Sequence, residues 1–167
     1  MINLPANLES PVDYLNIFFG QDLKSDILRY TNKYGQSKNN EFKSVTEEEL
    51  DAYFGILILS GALQCNKLDI HELWETKYGF PIAKAAMSRE RFKTIHINIR
   101  FDDIETRGQR RANDLFAPAR DAHNYFMSKF RRHYQSDLLF ARNASLRWVP
   151  FNYLTLFFQT NLEKIVL

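Results

Sequence analysis

The chain has 167 residues, with 22 Lys/Arg against 20 Asp/Glu, 14 Phe, 8 Tyr and 2 Trp beside only 6 Gly and 5 Pro. That is long enough for one domain that buries most of its apolar surface, and the aromatic-rich, Gly- and Pro-poor composition points to a folded, mostly helical protein. Cys65 stands alone, which excludes an internal disulfide and any zinc site built on several thiolates.

The amino terminus, MINLPANLESPVDYL, lacks the basic start and apolar run of a secretory signal, and no run of about 20 apolar residues could span a bilayer. The expectation is a soluble, intracellular protein with no membrane partner and a flexible stretch over residues 1–9. Ser10-Pro11 with Asp13 behind it reads as a helix start, since serine caps well and proline is tolerated where the N–H lacks a partner. Val12, Leu15, Phe18 and Phe19 supply the apolar face and Gly20 the stop. A second helix is expected from about Leu23 to Tyr34, ending at Gly35, and the polar residues Gln36 to Ser44 read as a loop.

Thr46 to Gln64, TEEELDAYFGILILSGALQ, is the central element. Thr46 and Glu49 form a capping box, and Glu47, Glu48 and Asp51 place negative charge at the positive end of the helix dipole. Leu50, Tyr53, Phe54, Leu57 and Ile58 recur at helical spacing. Beyond Phe54 the segment is apolar almost all round, which predicts a core helix. Asp69 then caps a short helix with Ile70, Leu73 and Trp74, broken at Gly79-Phe80-Pro81. Trp74 reads as a core anchor. His71 and Glu75 are one helical turn apart, but no second His or Cys pair supports a metal site, and no cofactor is expected.

The block Met87 to Arg120, MSRERFKTIHINIRFDDIETRGQRRANDLFAPAR, is the most informative. Residues 1–86 hold 8 Lys/Arg against 12 Asp/Glu, a net −4, whereas residues 87–133 hold 11 against 6, a net +5. Such asymmetry suits an anionic partner for the middle of the chain. Ser88 caps a helix with the stripe Phe92, Ile95 and Ile99, and Arg89, Lys93, His96 and Arg100 fall in one column at about 100° per residue. Thr106 to Arg111 reads as a loop whose Arg107, Arg110 and Arg111 present forks that match phosphate oxygens. The spacing equally admits a solvated face with local ion pairs. Asp102 and Asp103 point about 100° apart on a helix, so capping or pairing with Arg107 and Arg110 is the expected role rather than metal binding. Pro118 opens a last helix with Ala122, Phe126, Phe130 and Tyr134 on one side. The final 30 residues show no clear helical face.

MSRERF, the RFDD of Arg100 to Asp103, Thr106-Arg107, Arg110 and Ala117-Pro118-Ala119-Arg120 occur in the order and spacing of the piggyBac transposase family. Pro11 to Phe19, Thr31-Asn32-Lys33-Tyr34, the Thr46 to Gln64 helix and Trp74 agree, so the resemblance covers about residues 10–134. It implies an all-α domain over 10–134, similar to the helical region that precedes the RNase H-like core of those DDE transposases. Residues 135–167 would then be a divergent or truncated beginning of that core with an irregular tail. The family cuts and rejoins DNA with three aspartates and divalent metal. Here the segment before Val149-Pro150-Phe151 places Ser145 or a neighbour where the first aspartate is expected, and a hydroxyl cannot replace a carboxylate on magnesium.

The resemblance therefore implies a nuclear, transposable element-derived module without catalytic residues. Its partners would be double-stranded DNA, held by phosphate contacts from Arg89, Lys93, Arg100, Arg107, Arg110 and Arg111, and a second copy or a full-length piggyBac-like transposase. The alternative is a transposon remnant or truncated gene product with no selected activity.

Overall fold

The computed structural model describes residues 9–63, 70–75 and 81–133. All regular structure among them is helical, as the sequence predicts. The elements are α1 (Pro11–Phe18), α2 (Gln21–Lys38), α3 (Glu47–Ala62), a 3-10 helix (Ile70–Trp74), α4 (Pro81–Ala86), α5 (Arg89–Asn98), α6 (Ile104–Asn113) and α7 (Ala117–His133). Residues 134–167 lie outside the described residues, and with them Tyr134 and Ser145.

Helix starts follow the caps. Asp13 N–H donates to Ser10 Oγ at 3.2 Å and Ser10 N–H to Asp13 Oδ2 at 2.8 Å, a reciprocal closure of the first turn of α1. Glu49 N–H donates to Thr46 Oγ1 at 3.3 Å and Thr46 N–H to Glu49 Oε2 at 3.2 Å, which is the expected capping box of α3. Ser88 caps α5 through Arg91 N–H, and Asp103 caps α6 through Glu105 N–H.

Three expectations are corrected. α2 does not stop at Gly35 but continues to Lys38. Gly35 is buried because the Phe42 ring lies where its Cβ would be, so the glycine permits close packing rather than ending the helix. α3 is not buried all round: Leu50, Tyr53, Phe54 and Ile56 are buried, while Leu57 is half-buried and Ile58 is 45% exposed. The third correction is Thr106 to Arg111, which is not a loop but the body of α6. An interior glycine costs a helix about 1 kcal/mol relative to alanine. At Gly108 this is offset by the Asp103 cap, by Arg110 and Arg111 in the last turn, and by ion pairs to Asp102.

The chain forms two compact units, divided between Ile27 and Leu28 within α2 and between Arg100 and Phe101. In the first, α1 and α6 each pack on α7. Phe19 meets Phe126 edge-on at 5.0 Å, and the buried Ala117, Ala119 and Ala122 keep the start of α7 narrow. The buried Lys24 donates from Nζ to Asn16 Oδ1 at 2.8 Å, satisfying a charge that burial would otherwise penalise.

The second unit is organised by Tyr53 of α3. Its ring lies 5.0 Å from Phe92 and 5.5 Å from Phe54, and Trp74 lies 4.9 Å from Phe92 while its indole donates to Met87 O at 3.0 Å. The anchor role expected of Trp74 is thus observed. Asn32 fastens the segment before α3 to α2, donating to Val45 O at 3.0 Å and accepting from Val45 N–H at 2.7 Å.

Candidate nucleic-acid interface

The basic residues singled out by sequence fall into distinct environments. On α5, Arg89 is half-exposed and donates from Nε and Nη2 to Glu90 Oε1 at 3.1 and 3.0 Å. Such a surface pair is worth only about 0–1 kcal/mol, so it holds the guanidinium weakly. Lys93, one turn on, is exposed.

The predicted column does not extend further. His96 turns to the core, with Nδ1 hydrogen-bonded to the Tyr53 hydroxyl at 3.0 Å. Burial pushes that phenol well above its ordinary range, so it stays protonated. α5 ends at Asn98 and Ile99 is extended, which takes Arg100 off the helix. Arg100 is only 8% exposed. Its guanidinium lies 3.7 Å above the Tyr34 ring, and Nη1 donates to Ile99 O at 2.7 Å and Ile97 O at 3.2 Å. Its backbone N–H donates to Thr31 Oγ1 at 3.1 Å. Those partners hold the charge inside the second unit.

α6 is different. Asp102, the residue before the Asp103 cap of α6, has a side chain only 2% exposed, and two arginines share it. Arg107 donates from Nη2 to Oδ1 at 2.5 Å and from Nε to Oδ2 at 3.2 Å. Arg110 donates from Nη2 to Oδ2 at 2.6 Å. Asp102 pairs with Arg107 and Arg110, and Asp103 caps α6 through Glu105 N–H, the pairing and capping expected of them. The pairing works because α6 is a helix: Arg107 and Arg110 are one turn apart and both reach the residue that precedes its cap. Arg110 Nη1 also lies 3.8 Å from the exposed Asp121 Oδ2, and the pairing on Asp102 sits in a partly dry setting, where fields are screened less than in water. Arg111 is exposed beside it in the last turn.

Arg120 is paired as well. It donates to both Asp114 oxygens at 2.8 Å, and these bonds hold the Asp114 carboxyl down to about 2. Arg91, which sequence reasoning did not single out, donates to Glu49, Lys43 O and Ser44 O. Its partners are more than 40 residues away in sequence, so no local spacing could have flagged it. Among the described residues no group of three His, Cys, Asp or Glu side chains could hold a metal ion, and no helix is long and apolar enough to cross a membrane.

A sequence profile of the family described as transposase IS4 matches residues 10–151. Human PiggyBac transposable element-derived protein 2 is 31% identical over 126 residues, covering 74% of this chain and 20% of that protein. Human PiggyBac transposable element-derived protein 3 is 28% identical over 96 residues, covering 58% of this chain and 16% of that protein. A piggyBac transposase synaptic complex with hairpin DNA, solved by cryo-EM, has a similar fold, with a TM-score of 0.69 and 27% identity over 78% of this chain and 28% of the transposase. The chain therefore spans about a fifth of the length of these relatives.

Proposed function

Because this chain belongs to the piggyBac family of IS4-type transposases, we propose that it is a helical module that binds duplex DNA through phosphate contacts and does not itself cut it. The observation that carries the reading is the α6 cluster, two guanidiniums held on one buried carboxylate with Arg111 exposed alongside. Such a cluster attracts phosphate without reading base identity. In the second unit, Arg89 and Lys93 on α5 form a separate pair of phosphate contacts, whereas Arg100 contributes none because its charge is buried against Tyr34. The relative of known structure was solved with hairpin DNA, which supports the same partner class. The family resemblance and this reading together imply a nuclear location.

Absence of cleavage rests on the carboxylates. Asp102 is engaged by Arg107 and Arg110, and Asp103 caps α6. Ser145 or a neighbour stands where the resemblance expects the first catalytic aspartate. The test is a titration of a labelled duplex at several salt concentrations. Log affinity falls linearly with log salt, and all duplexes of one length bind alike. Binding indifferent to salt, or absent at low salt, would overturn the reading.

A second reading, pairing with another copy or with a longer piggyBac-like transposase, is favoured by large apolar side chains left exposed. Ile82 is 65%, Ile97 58% and Leu115 77% accessible. Light scattering separates the two readings, since a DNA-binding monomer keeps its monomer mass without DNA.

A further inference from the structure

Resting on that DNA reading, we infer that Arg107 and Arg110 do different work: Asp102 is a positioning residue that presents Arg107 to a phosphate, while Arg110 is a structural clip. The division follows from where each guanidinium nitrogen goes. Arg110 has all three occupied. Its Nε donates to Thr106 Oγ1 at 3.2 Å, Nη2 to Asp102 Oδ2 at 2.6 Å and Asp103 O at 3.2 Å, and Nη1 to Ala117 O at 3.3 Å. Those partners lie before α6, within it and at the start of α7, so Arg110 ties the three together. A phosphate could take it only by breaking bonds that hold the unit.

Arg107 places Nε and Nη2 on Asp102 and leaves Nη1 outside that pair. Guanidinium is a flat fork, so fixing two nitrogens on one edge also fixes the direction of the third. Asp102 is 2% exposed and Arg107 14%, so the side chain is already ordered before any anion arrives and little rotamer freedom is left to lose on binding. Gly108, next in sequence, has open space where its Cβ would be, with nothing within 4 Å. The helix surface next to Arg107 is therefore uncrowded at that position.

Charge counting and positioning predict opposite signs for one variant. Asp102→Asn removes a negative charge beside the contact, and a simple basic patch would then bind duplex DNA more tightly. The positioning role predicts binding weakened roughly tenfold, because Arg107 loses the partner that aims it. Arg107→Gln should reduce the slope of log affinity against log salt by about 0.9, the loss of one phosphate contact. Arg110→Gln should leave the slope unchanged and lower the melting temperature instead.

If Asp102→Asn does not fold by circular dichroism, Arg107→Lys decides. It keeps the charge and loses the fork, so positioning predicts weaker binding and charge counting predicts no change. Tighter binding by Asp102→Asn, an unchanged affinity for Arg107→Lys, or a slope lost in Arg110→Gln but kept in Arg107→Gln overturns the assignment. Failure of the unmodified chain to bind duplex DNA in a salt-dependent way overturns the DNA reading as well, and is recognised because no variant is needed to see it.

Discussion

Arg91 grips Glu49 with two nitrogens, Nη2 to Oε2 at 2.6 Å and Nε to Oε1 at 2.8 Å, while the same carboxylate closes the first turn of α3 by accepting the Thr46 N–H. One side chain thus joins a local cap to a contact across 42 residues. Arg91 also donates to the carbonyls of Lys43 and Ser44, which fixes the segment leading into α3.

Glu49→Ala should destabilise the protein by about 2 kcal/mol, combining a lost cap with a lost charge-assisted pair. The pH dependence has a definite sign. The Arg91 hydrogen bond holds the Glu49 carboxyl below its ordinary value of 4.5 against a smaller desolvation effect. Its stabilising contribution is complete above that value and disappears as pH falls through the folded-state value. Denaturant melts between pH 6 and pH 3 check this: Glu49→Gln should lose less stability on acidification than the unmodified chain.

On α3, Leu50→Ala should cost about 2–5 kcal/mol, since Leu50 is fully buried. Ile58→Ser should stay within about 0.5 kcal/mol, because Ile58 is 45% exposed. Equal losses at both positions in urea melts would show that the exposed face is covered in solution.

Gly35→Ala places a methyl group against the Phe42 ring. Alanine favours a helix by about 1 kcal/mol over glycine, but overpacking a rigid aromatic costs about 1–3 kcal/mol, so the net change should be destabilising. Adding Phe42→Leu should recover part of the loss, a coupling that a double-mutant cycle measures directly.

Arg100→Gln should lower stability by about 1–3 kcal/mol through loss of the Tyr34 stacking and the carbonyl bonds. The salt dependence of DNA binding should not change. A reduced slope with an unchanged melting temperature would return Arg100 to the phosphate-contact set.

Incubation with a piggyBac-type transposon end and magnesium or manganese should give no nicking or strand transfer. Metal-dependent cleavage that persists through purification and is abolished by replacing one of this chain's carboxylates would contradict the binding-only reading.

What was legible in the amino-acid order is what short-range physics controls. Thr46 with Glu49, Ser10 with Asp13, and Asp102 with Arg107 and Arg110 all lie within eight residues of one another, so spacing and residue type suffice to pair them. Family membership was legible for a similar reason, since it rests on the order of motifs along the chain. Which side of α3 is buried was not, because an apolar helix carries no polar face to orient it, and only packing of Tyr53 against Phe92 selects one. Gly35 and Gly108 had the same local signature as helix breakers. The Phe42 ring turned one into a close contact, and the Asp102 pairs kept the other inside a helix. Arg100 and Arg107 are alike in type and differ only in what the fold sets beside them. Tyr34 lies under one, and a buried carboxylate aims the other.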